Sequence, residues 1–139
     1  MTGNSKQVDL EKYAVFVDGV TSNPSKDYKS FLDSIEYLDG EGSNVQRLLT
    51  AAVGISAEGG EFMEIVKKML FQGKPWNDDN REHLIIELGD VMWYVMQACK
   101  ALDVSLDEVI AGNVEKLKKR YPGGDFDVYH SENRAADDR

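Results

Sequence analysis

Residues Leu48–Lys74 read LLTAAVGISAEGGEFMEIVKKMLFQGK, and this stretch decides the fold. It forms the body of one long helix. Ser43 with Gln46 makes a capping box ahead of it, and Gly73 and Pro75 stop it near Gln72. The centre, AEGGEFME (Ala57–Glu64), is unusual for a helix interior. Gly59 and Gly60 each cost roughly 1 kcal/mol against alanine there. Glycines in that position imply the close approach of a neighbouring helix backbone or of a ligand. Three glutamates accompany them at three-residue spacing. With a turn of about 100° per residue, Glu58 and Glu61 lie roughly 60° apart on one face, and Glu64 lies another 60° round.

Working outward, the chain reads as helix throughout. Tyr13, Phe16, Val17 and Val20 recur at helical spacing from about Asp9 to Asp18, and TSNPS (Thr21–Ser25) interrupts them. A second helix is expected from Ser25 to Leu38, with Tyr28, Phe31, Leu32, Ile35 and Leu38 as its apolar stripe. DGEGS ends it. Beyond Lys74, WNDDN offers Asn77 or Asp78 as the cap of a helix running to Leu102. Ser105 with Glu108 is another capping box, for a last helix ending near Tyr121, before Pro122-Gly123-Gly124. The tail from Asp125 is polar and expected to be irregular. No segment alternates with the period of a half-buried strand. The expected fold is all-α, a four- to five-helix array in one domain over residues 1–139, with N-terminal helices to residue 42, catalytic helices from 43 to 122 and a polar tail from 123.

The helix after the WNDDN loop carries a second acidic stripe. His83, Glu87, Asp90 and Tyr94 follow one another at spacings of four, three and four, opposite Ile85, Leu88, Met92, Val95 and Met96. If the two long helices form an antiparallel hairpin, Glu58 and Glu61 sit roughly 16–21 Å from the turn, and Glu87 and Asp90 roughly 12–16 Å from it, at 1.5 Å per residue. The four acids can then face one another across a cleft. Their mutual repulsion calls for cations, and Mg2+ suits hard oxygen ligands shared with phosphates. Spacing alone is equally met by a solvated acidic face, and Glu64 fits that description, with Lys67 and Lys68 at i+3 and i+4. Two features favour the cleft for the other acids: the glycines give no return on a solvated face, and Glu87 and Asp90 interrupt the most apolar helix of the chain.

Composition narrows the partners. The 139 residues carry a net charge of −9, which disfavours a nucleic-acid backbone or an anionic membrane. Small anions remain admissible where cations bring them in. One cysteine, Cys99, and two histidines, His83 and His130, leave no disulfide pair and no Cys- or His-rich zinc site. No signal-like opening and no membrane-length apolar run is present, so a soluble protein of a reducing, cytoplasmic compartment is expected (host cytoplasm for a phage-encoded chain).

The sequence resembles the MazG-type all-α nucleoside triphosphate pyrophosphohydrolases. Their mark is E-x-x-E, a variable spacer and E-x-x-D, present here as EGGE (Glu58–Glu61) and ELGD (Glu87–Asp90). The surroundings are more specific than the expression itself. Leu48–Lys74 resembles the family's first catalytic helix, HLIIELGDVMWYVMQACKAL (His83–Leu102) its second, and NVEKLKKRYPGGDF (Asn113–Phe126) its N-x-x-K-L-x-x-R-Y element with the turn found in phage members. The resemblance covers roughly Ser43–Arg134 and is closest to short single-domain phage versions. It implies hydrolysis of a nucleoside triphosphate between the α and β phosphates, to monophosphate and pyrophosphate. Glu58, Glu61, Glu87 and Asp90 would ligate Mg2+ (or Mn2+), and Glu61 or Glu58 would help take a proton from water. Tyr94, Asn113, Lys116, Lys68 and Arg120 would contact phosphates or sugar, although Arg120 also suits an ion pair with the acidic tail. A homodimer or homotetramer is implied, the partner chain closing the nucleotide pocket. Deoxynucleotides are the expected substrates, dGTP or dCTP first.

Other residues have plainer alternatives. Trp76 suits a base pocket or a loop surface, and Trp93 suits core or interface. Asn44 and Arg47 are candidate nucleoside contacts, Asn44 also a helix cap. His83 reads as a helix-surface residue and Cys99 as a buried small hydrophobe. The rival functions are hydrolysis of the alarmone ppGpp and a catalytically silent helical binding protein on the same scaffold.

Overall fold

The computed structural model describes residues 6–134, and every regular element among them is helical. They fall into two compact units, divided between Ser43 and Asn44.

The first unit holds α1 (Leu10–Gly19), α2 (Asn23–Lys26) and α3 (Tyr28–Gly40), with α2 packed on α3. Asp9 caps α1, accepting from the Lys12 amide at 3.1 Å. The helix expected over Ser25–Leu38 is broken in two at Asp27. That residue is extended (φ −123°, ψ 122°), and its carboxylate accepts from both the amide and the hydroxyl of Ser30, at 2.9 and 2.8 Å. A side chain satisfying the free amides of the next turn starts a new helix instead of continuing the old one. The Ser30 hydroxyl, then its amide, hold the Asp27 carboxyl below the usual carboxylate range.

The second unit is built on an antiparallel hairpin of α4 (Val45–Phe71) and α5 (Asp78–Leu102), followed by α6 (Leu106–Arg120) and α7 (Val128–Glu132). The cap of α4 is Asn44, whose Oδ1 accepts from the Arg47 amide at 3.3 Å, one residue later than the Ser43–Gln46 box predicts. Asn77 caps α5 at 2.9 Å, as expected. Asp103 ends α5 in the left-handed region, at φ 51°. Ser105 caps α6 through the Glu108 amide. The tail departs from the expected irregular chain: Asp127 accepts from the amides of Tyr129 and His130 and pairs with His130 Nδ1 at 2.8 Å, which starts the short α7.

Only α4 and α5 pack extensively on each other among the described residues of this unit. Their seam runs through Ala51, Gly54, Glu58 and Ile65 of α4, at spacings of three, four and seven, and reaches Cys99 of α5. At Gly54 a side chain of α5 lies against the α4 backbone. A Cβ there would fall into the Tyr94 ring. At Gly59 and Gly60 a Cβ would meet nothing within 4 Å. The expectation that a neighbouring helix of the same chain presses on that pair is corrected, because their helical phase turns them out of the α4–α5 seam while Gly54 lies in it.

Candidate metal centre

The seam sets the site. Glu58 occupies the position between Gly54 and Ile65, so its carboxylate points at α5 instead of at solvent. Glu87 and Asp90, one turn apart on α5, meet it there. One oxygen from each of Glu58, Glu87 and Asp90 lies within 4.8 Å of the others. Glu61 is outside this group. On α4 it falls to the flank of the seam and is exposed, while Phe62 takes the next half-buried position, four residues beyond Glu58. The four carboxylates expected from the motif therefore become three gathered acids and one flanking acid. Glu61 remains near enough for its charge to bear on Glu58.

Electrostatics within the group are adverse without a cation. The Glu58 carboxyl is pushed above the usual carboxylate range, first by partial removal from water, then by a hydrogen bond with Glu87, and then by the charges of Asp90, Glu87 and Glu61. A bond between two carboxyl groups needs one proton, which the pair shares. A divalent cation can replace that proton. Three convergent hard oxygens could hold a divalent cation.

The surroundings are distributed as follows. Asp90, Glu58, Tyr94 and Trp93 line a cavity of about 340 Å3. Tyr94 is thus at the acids, wedged over Gly54. Trp93, for which the sequence suggested core or interface, is 57 % exposed and forms the cavity's other aromatic wall, 4.9 Å from Tyr94 between ring centroids. Its position one turn beyond Asp90 was the available signal. His83 lies one turn before Glu87 and its Nε2 donates to Glu87 Oε1 at 3.2 Å, so this surface histidine has a partner inside the group.

The other expected contacts are not part of that cavity's lining. Lys67 and Lys68 both pair with Glu64, at 3.7 and 3.6 Å, which gives Glu64 a surface ion-pair role. Asn44 serves as the α4 cap. Arg47 lines a separate cavity of about 750 Å3 with Cys99, Lys100 and the start of α6. Trp76 is 68 % exposed in the α4–α5 connection. Asn113, Lys116 and Arg120 are carried by α6, Asn113 exposed and the other two half-buried.

A carboxylate group on an antiparallel helical hairpin, with an aromatic-walled cavity above it, defines an all-α protein suited to cation-assisted work on small anions. Residues 46–124 match the MazG nucleotide pyrophosphohydrolase domain, over half of the chain, and the chain belongs to that family. The gene 37 protein of Mycobacterium phage L5 is 38 % identical over 86 residues, covering 61 % of this chain and 75 % of that protein. No solved structure gives a significant match. Among the described residues no helix is long and apolar enough to cross a membrane.

Proposed function

We propose that the chain hydrolyses nucleoside triphosphates, deoxynucleotides by preference, to the monophosphate and pyrophosphate, with Mg2+ or Mn2+ held by Glu58, Glu87 and Asp90. The observation that carries this reading is the convergence of those three carboxylates in a chain of this family. When bound, the cation supplies charge neutralisation and polarisation of phosphate oxygens and water. The remaining work falls to the chain. Glu61, outside the gathered acids and one turn from Glu58, is the carboxylate left to accept the proton of the attacking water. Tyr94 and Trp93 wall the approach to the acids and orient the substrate beside them. Asn113, Lys116 and Arg120 supply donors for the phosphates.

Self-association belongs to the same proposal. Among the described residues the buried apolar side chains are Ala51, Ile65 and Cys99, whereas Leu49, Val53, Met63 and Ile86 on the hairpin are each more than half exposed. Apolar helix faces of this kind favour a second copy of the chain. A homodimer or homotetramer would cover them and bring the α6 donors of one protomer to the acids of its partner.

Incubation with each dNTP, each NTP and ppGpp in the presence of Mg2+, with products separated, tests the reading. Nucleoside monophosphate and pyrophosphate are the expected products. Inorganic phosphate alone, turnover of ppGpp alone, or no turnover would overturn it. Glu61→Gln and Asp90→Asn are each expected to abolish turnover while far-UV circular dichroism stays unchanged.

A further inference from the structure

Glu87 is the most enclosed member of a contact that runs out of the acidic group to the surface. Its side chain is 13 % exposed, against 51 % for His83 one turn earlier on α5. Glu87 faces Glu58 and Asp90, with an oxygen within 4.8 Å of each, and accepts from His83 Nε2 at 3.2 Å through Oε1. We infer that His83 is a positioning residue: it fixes the Glu87 carboxylate in the orientation that binds the divalent cation. This inference rests on the metal-centre reading above.

The physical need for such a residue is specific. The terminal torsion of a glutamate is broad and roughly two-fold, so packing of the stem alone leaves the two oxygens free to rotate. A hydrogen bond to one named oxygen removes that freedom and sets where the other points. A carboxylate oxygen accepts, so an Nε2–H supplies the hydrogen in this contact. Both the neutral Nε2–H tautomer and the doubly protonated ring donate there, and the role does not depend on titration of the imidazole. The helical spacing supports the geometry, since residues four apart on α5 stand one above the other. Glu58 and Asp90 have no comparable donor among the hydrogen bonds of the described residues, which makes Glu87 the anchored ligand of the three. Partners that orient a metal-bound carboxylate typically contribute 10–100-fold to metal affinity. His83 is half exposed, so the low end, roughly tenfold, is expected here.

A mere helix-surface pair would affect helicity and leave metal affinity alone, so the two roles separate experimentally. Mn2+ is titrated into full-length wild type, His83→Ala, His83→Leu, His83→Gln and Glu87→Gln, followed by electron paramagnetic resonance of the free ion. Far-UV circular dichroism is recorded on each variant. His83→Ala and His83→Leu are expected to weaken Mn2+ binding roughly tenfold with unchanged helicity. His83→Gln, whose amide nitrogen can reach Glu87, is expected to return affinity to within about threefold of wild type. Turnover of His83→Ala should recover at saturating Mn2+. Wild-type affinity in both His83→Ala and His83→Leu, or a Gln variant no better than the deletions, would overturn the inference while leaving the metal centre standing. Absence of Mn2+ binding by wild type, or undiminished binding by Glu87→Gln, would instead remove the metal centre and the inference with it.

Discussion

Gly54→Ala offers the sharpest test of how α4 and α5 meet. In an unobstructed helix interior the change gains about 1 kcal/mol, because alanine is the better helix former. Here the added Cβ would coincide with Cγ, Cδ1 and Cε1 of Tyr94, which are ring atoms next to the stem and not a flexible tip. The ring must leave its place or the helices must separate. Overpacking of that kind costs about 1–3 kcal/mol, and so deep an overlap with a ring belongs at the upper end. The net expectation is a loss of roughly 2 kcal/mol, or about 6–8 °C in Tm for a chain of this size. Gly59→Ala and Gly60→Ala face open space in one chain and should each gain up to about 1 kcal/mol. In a Tyr94→Ala background Gly54→Ala should turn stabilising, giving a coupling of about 3 kcal/mol between the two positions. Thermal melts by circular dichroism at one fixed protein concentration read all of these. Gly54→Ala as stabilising as Gly59→Ala, or no coupling with Tyr94, would refute the packing. Destabilisation by Gly59→Ala that deepens with protein concentration would place a second copy against that face.

The remaining predictions concern the acids and the tail. Glu58 binds its proton more tightly folded than unfolded, so without metal its contribution to stability is complete below about pH 4.5 and is lost as pH rises through its higher folded value. Melts in EDTA should therefore show a decline over that window that Glu58→Gln abolishes, and the Tm gain from Mg2+ should grow with pH over the same range. Trp93 shares its cavity with Glu58 and Asp90, so Mn2+ should quench tryptophan fluorescence in the Trp76→Phe variant and leave it unchanged in Trp93→Phe. Asp127 is held below the usual carboxylate range, first by its bond with the His130 ring. Its support of α7 is present above about pH 3.8 and lost as pH falls through the lower folded value. Amides 130–133 should exchange faster in Asp127→Ala than in wild type at neutral pH.

Most of the fold was legible because helices announce themselves locally. Capping side chains at Asn77 and Ser105, glycine at position 73 and the apolar period of α4 and α5 are contained within a few neighbouring residues, and α1, α4, α5 and α6 formed within a residue or two of their expected limits. Where expectation and structure part, a local competitor was undervalued. Asp27 satisfies Ser30 and splits a helix, and Asp127 satisfies the start of α7 in a segment that composition alone marked as irregular.

The site was legible to the level of the stripe and no further. Helical phase places Glu58 and Glu61 on one side of α4, and Glu87 and Asp90 on one side of α5, without saying which edge of each side faces the other helix. The sequence by itself determined an all-α chain whose two longest helices bring acids to the same height. The tertiary structure alone decided that Gly54, not Gly59 and Gly60, meets a side chain of the neighbouring helix, and that Glu58, Glu87 and Asp90 converge while Glu61 flanks them. The reason is rotational: a turn of a few tens of degrees about the helix axis exchanges seam for flank, and only the packing of Tyr94 into the notch at Gly54 selects one setting.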